Sequence, residues 1–517
     1  MIVARLATGA VAGLLLAIAF PPIGWWPTAV LGIAVLTGAC RGVRVRDGAV
    51  VGFAAGFVFF AILIRWLSVV GMDAWVLLTI FSALWIALAA MVTVVVTRLP
   101  AWPLWVGLVW VAQEALRDRI PLGGWPWGRL AFSQAEAPWV STAWWGGPAV
   151  VTFLVATAGA VVAWAVLEAR GRARLAAAVA VLITPWLLAP VPALGWSSGG
   201  ETVVAAIQGD VPATGLGFAV EGQRREVLDN HVRETVALAE AVRRGEQPQP
   251  DIVIWPENAS DLDPYRAVDA AAAIDAAAKA IAAPILVGAV VTNPEAPDTV
   301  LNVGIVWDPR SGPGPRYAKR HPVPFGEFVP FRDVLTRVIG RFDLVPRDFA
   351  AGDGTGVLPM AGVAVGDVIC FEVAYDDVVR GTVAAGAELL AVQTNNATYT
   401  GGGQSEQQVA MARLRAVETG RSTVVAATNG ISAQFLPDGT LLGSLPEGVN
   451  GHLVAALPTS TSISPAVRLA GLPELAAVIA VAVLVVVGVR RRSLQSVSRG
   501  NPPDGSAGLD RVEEMEG

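Results

Sequence analysis

Three residues in this chain have types and surroundings suited to covalent chemistry. Cys370 closes the apolar run "VGDVIC", Glu257 follows "DIVIW" and a proline, and Lys319 lies in "RYAKRHPVPFGEFVP". Each stands at or just past a stretch that reads as a strand, where side chains of an α/β domain converge from neighbouring strands. Singly, each has a plainer reading: a buried small hydrophobe for the cysteine, a solvated carboxylate and a solvated ammonium for the other two. Jointly they supply a thiol nucleophile, a carboxylate to take its proton and a fixed cation for an oxyanion. Those are the parts of acyl transfer through a covalent intermediate. Residue usage adds weight. Cys40 and Cys370 are the two cysteines, and of 37 basic residues only Lys279 and Lys319 are lysine. Where arginine is the default, a lysine at 319 points to a site that needs a compact ammonium.

A Cys–His arrangement competes with this reading. The three histidines are His231, His321 and His452. His231 falls in an amphipathic stretch and reads as structural, and His452 falls in a late loop or strand. His321 stays open, two residues from Lys319, although no Asn or Asp at a recognisable spacing supports a papain-like site. No pair of Cys or His has zinc-ligand spacing, so no metal is expected.

The elements that position these residues belong to an unusual chain. Hydrophobic residues make up 54% and charged residues 15%, and the mean hydropathy is +0.55. This is the composition of a membrane protein with a polar portion attached. The net charge of −6 argues against nucleic acid as a partner, because phosphate binding needs a concentrated basic surface. Apolar segments near 4–20, 27–40, 49–66, 74–97, 101–116, 147–168, 173–192 and 469–489 read as eight membrane spans, the second and fifth being short. The first reads as a retained helix rather than a signal peptide, since further spans follow it.

Arg41, Arg44, Arg46, Arg98, Arg170, Arg172, Arg174 and Arg490 to Arg492 fall in loops on one side of such an array. That side is expected to be cytoplasmic, with both termini. The opposite loops, "PPIGWWP" and "GGWPWGRLAFSQ", carry interfacial tryptophans. Residues 200–458 are then expected outside the membrane. There, short β-rich runs ("TVVAAIQ", "DIVIWPE", "PILVGAVV", "NVGIVWD", "VAVGDVICFE", "LLAVQTN", "STVVAATN", "SAQFLPDG") alternate with helical stretches at 219–244, 268–282 and 404–420. Residues 493–517 are polar and read as a disordered tail.

The segments "WPE" (255–257), "KRHPVPFGEFVP" (319–330) and "ICFE" (369–372) resemble the Glu–Lys–Cys signature of the nitrilase superfamily. Set in this order among eight spans, and with "GWPWGRLAFSQ" and "MARLRAVETGR", they resemble the apolipoprotein N-acyltransferase family over essentially the whole chain. The resemblance implies an α-helical polytopic membrane domain (1–195), an extracytoplasmic α/β nitrilase-like αββα four-layer sandwich (200–458) and a C-terminal transmembrane helix (469–489). It implies a bacterial cell-membrane enzyme that moves an acyl chain from a phospholipid to the N-terminal α-amine of a diacylglyceryl-cysteine on an apolipoprotein, by ping-pong kinetics and without a cofactor.

By the same resemblance Cys370 is the nucleophile, Glu257 the general base and acid, and Lys319 the oxyanion stabiliser. Glu327 and Glu372 support that triad. Apart from the resemblance, the place of Trp125, Trp127 and Arg129 on the outer side of the spans leads us to expect them at the lipid entrance, with Arg129 against a phosphate. Phe371 stands where many relatives carry a tyrosine, and Thr398 where a tryptophan is common, which bears on the shape of the binding wall. A membrane-tethered amidase with water as acceptor is the alternative. A non-enzymatic scaffold or transporter would leave the intact triad unexplained.

Overall fold

The computed structural model describes residues 2–189, 199–211, 221–337 and 347–498. A helix occupies each of the eight apolar stretches. In chain order the first seven are α1 (Ile2–Ile18), α2 (Pro27–Cys40), α3 (Val45–Leu63), α4 (Met72–Val96), α5 (Trp102–Arg117), α6 (Ala143–Leu167) and α7 (Arg172–Leu188). Among the described residues, four stretches are long and apolar enough to cross a bilayer by length and composition: Val45–Leu63, Met72–Val96, Pro138–Leu167 and Leu472–Arg490. α1 and α2 are apolar but shorter.

With no hydrophobic effect to drive helices together in lipid, close approach must come from small side chains. α3 presents Gly48, Gly52 and Gly56 to α4 at four-residue intervals. A Cβ on Gly52 would lie 2.8 Å from the Ile86 carbonyl oxygen, and one on Gly56 would lie 2.7 Å from Ala83 Cα.

The chain then builds β1 (Gly200–Gln208), α8 (Glu221–Arg243), β2 (Ile252–Ile254), α9 (Val268–Ile281), β3 (Ile285–Thr292), β4 (Val300–Asp308), β5 (Gly312–Ala318), α10 (Arg332–Leu335), β6 (Val357–Met360), β7 (Val363–Ile369), α11 (Asp376–Ala384), β8 (Leu389–Thr394), α12 (Gln404–Thr419), β9 (Thr423–Ala427), β10 (Ser432–Phe435), β11 (Leu441–Leu445) and β12 (Gly451–Thr459). A short α13 (Pro465–Leu469) leads into α14 (Leu472–Ser498). The strands form two six-stranded sheets, ordered β12-β1-β2-β3-β4-β5 and β11-β10-β9-β8-β7-β6.

Three apolar layers hold this αββα sandwich together. Val204, Ile254, Leu286, Val365, Ile369 and Val424 pack between the sheets. Leu228, Leu238 and Ile274 of α8 and α9 cover the first sheet. On the far side, Val378, Val383, Met411 and Leu414 of α11 and α12 cover the second sheet, and their apolar cluster is continuous with that of the membrane helices. The α11–α12 layer is thus both the outer coat of a sheet and the seat of the helical region.

Two expectations change. β5, β6 and β11 are strands where none was expected, β12 is a strand where loop and strand were both open for His452, and all four are sheet edges. An edge strand need not be apolar on both faces and tolerates Gly and Pro, as "GPGPRYA" in β5 illustrates. The tail expected from 493 begins as helix, because α14 continues to Ser498 and residues 493–498 carry neither Gly nor Pro. Residues 499–517 of that expected tail lie outside the described residues.

Candidate active site

The parallel strands β2, β7 and β8 end on the same side of the sandwich, and so does β5. Glu257 lies three residues past β2, Lys319 directly follows β5, and Cys370 directly follows β7. β7 and β8 pair in parallel with Ile369 opposite Gln393, which sets Cys370 level with Thr394. The segment carrying Glu257 approaches β3 at Gly288, where a Cβ would stand 2.1 Å from the Pro256 carbonyl oxygen.

Cys370 has φ 55°, a left-handed backbone that costs a non-glycine residue about 1–3 kcal/mol and persists only where its surroundings enforce it. The enforcement comes from Glu372. This fully buried carboxylate accepts from the backbone N–H groups of Ile369 (2.9 Å), Arg320 (2.7 Å) and His321 (3.2 Å), and from the Tyr317 hydroxyl (3.0 Å). Burial raises its carboxyl above the ordinary range, and these N–H groups together with Lys319 pull it back. One side chain therefore pins the turn after Cys370 to the segment after Lys319.

Buried Glu257 and Lys319 form a knot with half-buried Glu327. Lys319 Nζ donates to Glu257 Oε1 at 3.1 Å and to Glu327 Oε1 at 2.8 Å. Asn302 Nδ2 donates to the same two oxygens, at 2.6 and 3.1 Å, and the Asn395 N–H donates to Glu257 Oε2 at 2.9 Å. Glu327 is tied down at its other oxygen by the Val323 N–H. Burial works against the Lys319 ammonium, but the Glu257 and Glu327 carboxylates outweigh it and hold its pKa well above the usual lysine value. Burial, and then the charge of Glu257, push the Cys370 thiol up to about 12 against the pull of Lys319 and Thr394. At neutral pH the sulfur is protonated, so attack requires a base in place. The arrangement can take a thiol proton onto a held carboxylate and place a permanent cation beside the anion that follows.

Glu257, Lys319, Cys370, Glu327 and Glu372 are all brought together. Asn302, Thr394, Asn395 and Gln408 complete the cluster without having been anticipated. A lone Asn, Thr or Gln in a strand or helix carries no spacing signal, and only the folded chain aims it. His321 stacks on Tyr375 (ring centroids 4.3 Å apart) and bonds Asp377, without a described hydrogen bond to Cys370. His231 is buried against the Val227 carbonyl.

The expected lipid entrance is corrected in two of its residues. Arg129 is buried, with Nη1 on both oxygens of Asp376 (2.8 and 2.9 Å) and Nε 3.3 Å from Asp118. Asp376 also meets Arg415, and Arg380 bonds Glu418 and Glu474, so Arg129 belongs to an ion network joining the helical region to α11, α12 and α14. A buried guanidinium engaged by Asp376 at Nη1 and by Asp118 at Nε is not presented to a lipid phosphate. Trp127 is also buried, stacked on Phe371 with centroids 5.6 Å apart and planes 5° from parallel. Trp125 is half-buried and lies over the same ring at 5.3 Å. Phe371 therefore serves as a stacking surface for the helical region, and Tyr399, next to Thr398, packs edge-on to Trp66.

Breaking one side of a buried ion pair leaves an uncompensated charge, typically at about 3–5 kcal/mol. Arg129→Ala is expected to lower the thermal midpoint of the full-length protein in detergent clearly, with Arg129→Lys recovering only part because one ammonium cannot reach Asp376 and Asp118 as separate guanidinium nitrogens do. An unchanged midpoint would remove Arg129 from the joint.

The family model "Apolipoprotein N-acyltransferase N-terminal domain" matches residues 12–161, and the model "Carbon-nitrogen hydrolase" matches residues 204–464. An apolipoprotein N-acyltransferase from Mycolicibacterium smegmatis is 39% identical, over 94% of this chain and 87% of that protein. Relatives of the same name from Gloeobacter violaceus and Azotobacter vinelandii are 32% identical (83% of each chain) and 28% identical (88% of this chain, 90% of the relative). Among solved structures, an amidase of the nitrilase superfamily from Nesterenkonia is similar at 18% identity and a TM-score of 0.38, over 53% of this chain and 95% of the amidase.

Proposed function

The chain belongs to the apolipoprotein N-acyltransferase family and is a membrane acyltransferase; from that premise we propose how it acts. The acyl donor is a membrane phospholipid, and the acceptor is the N-terminal α-amine of a diacylglyceryl-cysteine. Glu257 takes the Cys370 proton, and the thiolate attacks an ester carbonyl of the donor. The Lys319 ammonium stabilises the tetrahedral oxyanion. Glu257 returns the proton to the departing lysophospholipid oxygen, leaving an acyl thioester on Cys370. The acceptor amine then attacks the thioester, Glu257 takes the amine proton, and that proton restores the thiol as the thiolate leaves. Glu327 and Asn302 keep Lys319 and Glu257 in register, and Glu372 holds the Cys370 turn.

The observation that carries this reading is the position of the thiol. Cys370 is followed directly by Phe371, whose ring packs against both Trp125 and Trp127 of the helical region, the two indoles being themselves 6.1 Å apart. A nucleophile seated there meets acyl chains without drawing them into water, where each exposed methylene costs about 0.8 kcal/mol. We place the eight helices as spans, the sandwich on the extracytoplasmic side and both termini in the cytoplasm, because the arginine-rich loops α2–α3 and α6–α7 and the end of α14 share one side.

The test is a mass spectrum of a synthetic diacylated lipopeptide after incubation with purified protein and phospholipid. A gain of one amide-linked acyl chain is expected. Free fatty acid with an unaltered lipopeptide would overturn transfer in favour of hydrolysis.

A further inference from the structure

α12 carries two adjacent glutamines whose amides are used in opposite directions. Gln407 faces the helical region. Its Oε1 accepts from Trp127 Nε1 (2.6 Å) and Trp66 Nε1 (3.3 Å), while its Nε2 donates to the carbonyl oxygens of Leu63 (3.0 Å) and Pro21 (3.3 Å). Four partners from three separate segments saturate one buried side chain. Gln408 faces the sandwich. Its Oε1 accepts from Asn396 Nδ2 (2.7 Å) and the Thr394 hydroxyl (2.9 Å), and its Nε2 lies 3.7 Å from Cys370 Sγ. With the oxygen engaged by these donors, it is the NH2 end of the amide that meets the sulfur.

The contacts close on themselves. Trp127 stacks on Phe371, which adjoins Cys370, and its indole N–H bonds Gln407, which adjoins Gln408. The helical region thereby holds the nucleophile's turn with the face of one ring and holds the helix bearing Gln408 with the edge of the same ring.

Resting on the reading of Cys370 as nucleophile, we propose that Gln408 is a further catalytic residue, donating an N–H to the Cys370 sulfur as negative charge develops on it. Gln407 is its positioning residue, setting α12 against Trp127 and Trp66. The donor matters twice. It stabilises the thiolate formed when Glu257 removes the proton, and again the thiolate expelled when the amine attacks the thioester. In the thioester itself the sulfur is neutral and the bond is weak, so the stabilisation falls on the charged species flanking each transition state.

The experiment is the rate of Cys370 alkylation by iodoacetamide in the full-length protein, between about pH 7 and 10, with the labelled peptide identified by mass spectrometry to separate Cys370 from Cys40. A hydrogen bond to an ionised group is worth about tenfold or more in an equilibrium. Gln408→Met, similar in size but without the donor, is expected to alkylate about tenfold more slowly at every pH, as a raised thiol pKa requires. Gln407→Met is expected to move the profile in the same direction by less. A purely structural role would lower the thermal midpoint and leave the profile where it was, and that result would overturn the proposal. If Gln408→Met fails to fold, Gln408→Glu serves, since it keeps the acceptor contacts and sets a carboxylate against the sulfur. A wild-type profile in that variant would overturn the proposal equally. A shifted profile in a protein that transfers no acyl chain would sink the proposed function and leave this inference standing.

Discussion

Cys370→Ala is expected to fold, bind its substrates and transfer nothing. With the nucleophile gone, the fall in rate should be about 10⁴-fold or more, the scale on which loss of a covalent catalyst is felt. No described side chain stands ready to replace it. Cys40, the other thiol, is buried in α2. Thr394 Oγ1 is 3.3 Å from the sulfur, but its hydroxyl is already engaged with the Gln408 oxygen at 2.9 Å and has no described hydrogen bond to Glu257. The fold should tolerate the change, because alanine meets the same left-handed backbone that cysteine already occupies at φ 55° and only one buried sulfur is lost. Two readouts belong together. Intact-protein mass spectrometry of the wild type, given phospholipid but no acceptor, should show a gain of one acyl chain that hydroxylamine removes. The variant should show neither this adduct nor a modified lipopeptide. An acyl adduct that persists in Cys370→Ala would place the covalent step on another residue.

The second large effect is expected at Glu257. With the thiol pushed up to about 12, the fraction ionised near neutrality is negligible, so the carboxylate must take the proton during attack. Glu257→Gln removes that base, and a loss of about 10²–10⁴-fold is the usual worth of positioned proton transfer. The residual activity should carry a diagnostic pH dependence. In the variant only thiolate already present can react, so the rate should climb about tenfold per pH unit below the thiol pKa, whereas the wild type should be far flatter. Glutamine is not a silent replacement here. Its oxygen can keep Asn302 and Lys319, but its NH2 then faces the Asn395 N–H, and a buried donor left without an acceptor costs about 1–3 kcal/mol. The thermal midpoint should therefore fall modestly, and activity must be compared on protein shown to be folded. A variant within tenfold of wild type, with an unaltered pH profile, would remove Glu257 as the base.

The ion network at the joint ranks below these two because it acts on integrity rather than on bond making. α6 bends at Gly146 and Gly147 where the network passes, and a Cβ on Gly147 would stand 2.1 Å from Arg380 Nη2 and 2.4 Å from Glu418 Oε1. The helical region and the sandwich meet there through charges with no room for a larger side chain, which is why Arg129, in a loop rich in interfacial residues, is drawn inward.

Some of this was legible from residues alone. Apolar stretches long enough to fill a bilayer announce helices by length. Central strands, buried on both faces, announce themselves as unbroken Val, Ile, Leu and Ala runs. A cysteine, a glutamate and a scarce lysine placed at strand ends betray a site, because those side chains have chemistry of their own wherever they stand. What only the folded molecule decided depends on a partner. The four edge strands β5, β6, β11 and β12 exist because a neighbouring strand offers hydrogen bonds, a condition no local pattern records. Arg129 reads as a lipid contact until Asp376, 247 residues away, takes its guanidinium. Asn302, Thr394 and Gln408 are ordinary polar residues in sequence, and the sandwich turns them onto the carboxylates and the sulfur. Intrinsic chemistry and burial pattern are properties of the chain, whereas the direction of an amide and the pairing of a charge come from contacts that long-range packing creates.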